Sequence, residues 1–278
     1  MSHSLTLHIY KTQWSRRLFM VLSPELDKVH SSTIKKGTGT IIMAATSDSS
    51  TSMPETEIQI RQYAAKFLGC LEKGIVITSA FFPLIGIVSP LIGTMKKKLV
   101  EDNNIKLLEK EFQQIYDKLE CISQQTEQML DQIQLSEIQI NYGQHENSIK
   151  YQYQALKNMM DCIWKNPENS DQYIEDFKNI YVNQNGIGNL KVYYDGIMEH
   201  HGPFGQPLLK CYQKNCKRNK KIMEARCAHL NYLFYIGLIA QIAYAEVIGD
   251  DQEVAKEWGQ KFIDIQTKMQ EALDECNE

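Results

Sequence analysis

The sequence predicts an all-α protein: an elongated bundle of long antiparallel helices with an apolar, Pro- and Gly-containing hairpin attached. Three observations lead there. Apolar residues recur at alternating spacings of three and four along most of the chain, which is the period of a helix with one buried face. No useful stretch alternates apolar and polar residues with the period of two that a strand needs. Finally, Gly74 to Met95 (GIVITSAFFPLIGIVSPLIGTM) runs for 22 positions without a charge, between Lys73 and Lys96-Lys97-Lys98.

Residues 1–57 lack periodicity and end in the Ser/Thr run from Thr46 to Ser52, so they read as a disordered or partly ordered extension. Met43-Ala44-Ala45 reads as an alternative start. The first 42 residues are basic, with six Lys/Arg against two Asp/Glu, and a transit peptide is the other reading of them. Residues 58–278 are expected to form a single helical bundle. A helix over 55–71, with Ile58, Tyr63, Phe67 and Leu71 on one side, leads into the uncharged run.

That run is long enough to matter to a membrane. A continuous helix of this length would reach about 33 Å, against a hydrocarbon core of about 30 Å. Its eleven Leu, Ile, Val and Phe residues favour insertion by about 3–7 kcal/mol together. Pro83 and Pro90 each oppose a continuous helix by up to about 3 kcal/mol, and Gly86 and Gly93 loosen it further. The balance predicts a hairpin rather than a permanent anchor. Its lipid-directed residues are expected to be Ile75, Ile77, Phe81, Phe82, Pro83, Leu84, Ile85, Ile87, Pro90 and Leu91, with Lys96, Lys97 and Lys98 at the headgroup boundary. The alternative is a Pro-kinked hairpin buried in a soluble core.

The next element carries the clearest periodicity. Ile105, Leu108, Phe112, Ile115, Leu119, Ile122, Thr126, Met129 and Ile133 are spaced 3-4-3-4, and Ile140 extends the seam. A matching seam follows at Ile149, Tyr153, Leu156, Met160 and Ile163. Two such helices joined near Tyr142-Gly143-Gln144 form an antiparallel pair. Pro167 and Asn183–Gly188 mark loops, short helices follow over 171–181 and 190–198, and Gly202–Pro207 makes a turn. A helix from Leu208 carries Lys210, Lys214, Lys217, Arg218, Lys220, Lys221 and Arg226, then flows into the uncharged stretch Leu230–Ala245. Sixteen uncharged residues are short for a span, so this stretch reads as the central buried helix. Gly249 ends it, and a last helix presents Val254, Trp258, Phe262, Ile265, Met269 and Leu273 on one face.

Composition limits the function. The net charge of −4 argues against general nucleic-acid binding, and 43% hydrophobic residues suffice for a core. Seven cysteines at no repeating spacing read as free thiols in a reducing compartment. No secretory signal is evident at the start, so the expected location is cytoplasmic or on the cytosolic face of a membrane.

Catalytic chemistry finds little footing. Cys211, Cys216, Cys227 and His229 could ligate zinc, but the spacing matches no common knuckle. His200-His201 reads as a solvated pair, and His145-Glu146 lacks the second histidine of a zinc-protease motif. Gly186-Ile187-Gly188 follows no strand and precedes no Gly-Lys-Ser/Thr, so it is not a phosphate cradle. The expectation is no enzyme, no cofactor and no metal. The basic cluster over 210–226 could attract anionic lipid, although a solvated face is the plainer reading.

Several stretches resemble the rapunzel proteins of bony fish: Phe112–Leu119 with Ile122-Ser123, Tyr142–Ile149, Tyr194–Met198, Phe204–Leu209, Cys227–Leu230, Leu233–Ala240 and Ala255–Gly259. They fall in the same order over about residues 55–276. The resemblance implies a vertebrate helical protein associated with fin and skeletal growth, or in some members with interferon signalling. Through a likeness of that family to cephalotoxin-type proteins, it also implies an architecture akin to α-helical pore-formers.

Two functions are therefore expected. The first is a non-enzymatic, membrane-associated helical protein with membrane lipids as partners and with scope for oligomerisation. The second is a soluble cytosolic regulator that binds a protein partner through a helix face.

Overall fold

Apolar stripes at helical spacing become helices throughout the computed structural model, which describes residues 54–79, 83–101, 105–128, 136–200, 206–249 and 251–277. The readings of residues 1–53 and of the turn at 202–205 lie outside the described residues. In chain order the helices are α1 (Glu55–Thr78), α2 (Pro83–Gly86), α3 (Ser89–Glu101), α4 (Ile105–Gln128) and α5 (Ser136–Lys165). After a 3-10 turn at Pro167–Asn169 come α6 (Ser170–Asn183), α7 (Gly186–Ile197), α8 (Leu208–Asn215), α9 (Lys220–Ile248) and α10 (Asp251–Asp274). Among the described residues the β pairing is one isolated bridge, Asn219 with Asn277.

α9 is the axis. Leu230, Leu233, Ile236, Leu238, Ile239 and Ile242 point in all directions and all are buried, as expected of a helix without a solvent face. Asn219 caps its start by accepting a 3.2 Å bond from the Ile222 amide. Gly249 ends it at φ 84, a left-handed angle that glycine adopts without a Cβ clash. It is long and apolar enough to cross a membrane, yet 78% of its most apolar window is buried inside the fold.

The other helices wrap this axis. α1 runs antiparallel to it, with Cys70 beside Glu246 and Gly74 beside Tyr235 and Ile239. α5 runs parallel, with Glu146 on His229, and α4 returns beside α5 with Phe112 against Trp164 at 5.4 Å. α10 lays Trp258 and Phe262 on Phe234, at 6.0 and 5.9 Å between ring centroids. α7 approaches so closely that a β-carbon on Gly237 would stand 2.7 Å from Leu190.

The seams hold with two corrections. Leu108, Phe112, Ile115, Leu119, Ile122 and Thr126 are buried on α4, and the whole α5 set from Ile149 to Ile163 is buried, while Met129 and Ile133 lie outside the described residues. Ile140 is 80% exposed and belongs to neither seam. The turn is not at Tyr142–Gln144 either: α5 passes through Gly143 unbroken, and α4 and α5 are joined between Gln128 and Ser136. A single glycine in a helix costs only about 1 kcal/mol, less than the packing of the helix around it supplies. The helix expected from Leu208 is likewise two helices, because Lys217 and Arg218 adopt φ 51 and 60 and turn the chain between α8 and α9.

Candidate functional site

The uncharged run folds as the hairpin its prolines imply. α1 continues to Thr78, seven residues past the expected end at Leu71. Pro83 is then the first residue of α2 and Pro90 the second of α3. Proline fits these positions because the first helical amides have no intrahelical acceptor. Thr78 and Thr94 return their hydroxyls to the carbonyls of Gly74 and Pro90, at 2.9 and 3.0 Å. No single helix therefore spans 74–95.

The two arms bury one side and expose the other. Ile75, Ile85, Val88, Ile92 and Met95 are buried, whereas Ile77, Ile87 and Leu91 are half-buried. Pro90 is exposed, and so is Val76, at 74%. Phe81 and Phe82, and the side chains of Pro83 and Leu84, lie outside the described residues. The three lysines all have acidic neighbours. Lys96 pairs with Glu72 across the arms, Lys98 with Glu111 of α4, and Lys97 stands 3.8 Å from Glu101. Arg61 fastens the far end by donating to the Leu99 carbonyl at 2.7 Å.

The first arm sits on Tyr235 and Ile239 of α9, and Asn231 lies one turn further along the same side of that helix. Gly74 permits the close approach: a β-carbon there would lie 3.1 Å from both Tyr235 and Ile239. The seat is less polar-complementary than it is tight. The Tyr235 hydroxyl and both amide atoms of Asn231 are buried without a hydrogen-bond partner among the described residues. The hydroxyls of Tyr116 and Tyr153 share that condition, and burial raises the pKa of all three tyrosines. Beside the arm, a cavity of about 220 Å³ opens between Tyr63, Phe67, Cys70, Leu156, Met160 and Glu246.

A second polar feature escapes sequence reasoning. His229 Nε2 lies 3.1 Å from Glu146, and Lys150 bridges Glu146 and Glu127 at 2.8 and 2.6 Å. Burial alone would raise the Glu146 pKa, but the hydrogen bonds and charges of His229 and Lys150 overcome it and hold the carboxyl at about 2. This chain ties α4, α5 and α9 together. It also takes His229 away from the cysteines considered as zinc ligands. Among the described residues no group of three His, Cys, Asp or Glu side chains is placed to hold a metal. His145 instead meets Asn189 at 2.9 Å, and His200 meets Asp195 at 3.3 Å.

Fold and site together define a class: an all-α bundle around a buried central helix, with an apolar hairpin folded onto α9 and α4. The chain belongs to the cephalotoxin-like family, since residues 98–278 match the cephalotoxin-like middle helical domain. It is also 31% identical over 219 residues to Protein rapunzel of Danio rerio, covering 78% of this chain and 95% of that protein. A match of that length takes in the hairpin, which lies ahead of the matched helical domain. No solved structure matches the chain.

Proposed function

We propose that this is a non-enzymatic, membrane-associated protein whose hairpin rests against the bundle and enters a lipid surface on release. The observation that carries the proposal is the seat. Gly74 is closely fitted to Tyr235 and Ile239 on a side of α9 that also carries Asn231, and among the described residues the Tyr235 hydroxyl and the Asn231 amide have no hydrogen-bond partner. A buried polar group left unpaired costs about 1–3 kcal/mol, and that cost is relieved when water reaches it. The apolar contacts of Ile75, Ile85, Ile92 and Met95 can be exchanged for lipid contacts at little loss of burial. Both terms bring the docked and released forms closer in free energy, as a segment that changes environment requires.

Flotation with phosphatidylserine-containing vesicles tests this on Val76→Asp. Val76 is mostly exposed, so the substitution spares the fold. In an inserted hairpin the charge costs about 2.5–3.5 kcal/mol, and partitioning falls roughly a hundredfold. Unchanged flotation of a normally folded Val76→Asp protein rejects insertion of the hairpin.

Burial of Ile85, Val88, Ile92 and Met95, with all three lysines beside carboxylates, favours a second reading: a soluble cytosolic interaction protein with the hairpin permanently in its core. That reading expects no flotation of the wild type. In both readings we assign the protein to the cytoplasm or the cytosolic face of a membrane, a setting supported by its free thiols. We extend the proposal to a role in fin or skeletal growth, which the resemblance to the rapunzel proteins implies.

A further inference from the structure

The basic cluster over 210–226 separates into three parts. Lys210 is 3.3 Å from Glu199, and Arg226 is buried with its guanidinium 5.6 Å from the Tyr212 ring centre. Of the remaining five, Lys217 and Arg218 lie on the turn between α8 and α9, and Lys214, Lys220 and Lys221 on the helix ends that flank it. Four are exposed and Lys220 is half-exposed, and none makes an ion pair among the described residues. Elsewhere lysines are routinely matched, as at Lys150, Lys191, Lys261 and Lys268.

The turn is fixed in this unfavourable arrangement. Lys217 and Arg218 hold left-handed backbone angles that bulky residues rarely adopt. The Asn277 amide donates to the Arg218 carbonyl at 2.7 Å, and the Lys220 amide to the Asn277 carbonyl at 3.0 Å. The first turn of α9 contains no acidic residue, so Lys220 and Lys221 face the positive end of the helix dipole. Two carboxylates just ahead of Asn277 hold hydrogen bonds of their own: Glu275 accepts from Gln213 at 3.1 Å and Asp274 from Gln270 at 2.8 Å. Five cations held close together with no ion pair among the described residues are stabilised by an anionic surface.

We propose that this turn docks the protein on an anionic phospholipid surface. α1 runs antiparallel to α9, so the first hairpin arm leads toward the end of the bundle that carries the turn. The choice of a membrane over free phosphate rests on the function proposed above, but docking by the turn does not need the hairpin to be released.

The test measures sedimentation of the full chain with phosphatidylcholine vesicles, with and without phosphatidylserine. The comparison is with the triple variant Lys217→Gln/Arg218→Gln/Lys221→Gln. Each surface cation contributes about fivefold to binding, so the variant should bind phosphatidylserine vesicles roughly a hundredfold more weakly. The wild type should also lose binding as salt rises. A wild type that ignores phosphatidylserine, or competition by inorganic phosphate at equal charge concentration, overturns the proposal. So does a folded triple variant that binds like the wild type. A form with the first hairpin arm cross-linked to α9 through Gly74→Cys and Ile239→Cys separates the two ideas. If it still binds in a salt-sensitive way, docking stands even where insertion fails; if it loses all binding, docking by the turn is wrong.

Discussion

Gly74 abuts the ring of Tyr235 so closely that a β-carbon would stand 3.1 Å from it, tighter than ordinary van der Waals contact. A large side chain there must push the hairpin off α9. We expect Gly74→Leu to destabilise the fold by about 1–3 kcal/mol through overpacking. It should also raise vesicle binding, with urea melts and flotation as paired readouts.

Asn231 offers the opposite manipulation. Replacing its unpartnered amide with leucine removes two buried orphan atoms. Asn231→Leu should stabilise the folded chain by about 1–3 kcal/mol and weaken lipid partitioning. A stabilised variant that floats as well as the wild type would break the link between seat and release.

The Glu146 carboxyl gives a pH dependence with a definite sign. Its folded pKa is about 2, below the ordinary 4.5. It therefore adds stability that is complete above about pH 4.5 and is lost as pH falls toward 2. The shift corresponds to an order of 3 kcal/mol. Glu146→Gln should cost about that much at pH 7 and progressively less toward pH 2, as read from urea denaturation at several pH values.

Ile140 and Ile149 test the corrected seam. Ile140 is 80% exposed and Ile149 is fully buried. Ile140→Glu should change stability by no more than about 0.5 kcal/mol. Ile149→Glu, which buries an unpaired charge, should cost several kcal/mol and abolish cooperative thermal unfolding.

The contrast between those two isoleucines shows what the sequence discloses. Heptad spacing identifies α4, α5 and α10 because an amphipathic helix must repeat its buried residues, and Leu230–Ala245 announces a central helix by lacking any polar side. Helix ends are less legible. Gly143 resembles a turn but packs inside α5, whereas the left-handed angles between α8 and α9 fall on Lys217 and Arg218 rather than on a glycine or on the flanking Asn215 and Asn219. The hairpin is visible as an uncharged, proline-broken run. Its buried side is not, because nearly every residue in it is apolar and only the contacts with α9 and α4 choose among them. The His229–Glu146–Lys150–Glu127 chain is invisible for another reason: its members are separated by up to a hundred residues and meet only after three helices pack.

Gly74 stands against Ile239 of α9, so cysteines at these two positions can tie the first hairpin arm to the bundle by a cleavable cross-link. The most direct measurement is flotation of that protein with phosphatidylserine vesicles in high salt, where docking by the α8–α9 turn is screened. The account predicts that the cross-linked form stays unbound and that cleaving the link restores flotation. Equal flotation before and after cleavage would contradict release of the hairpin as the route to the membrane.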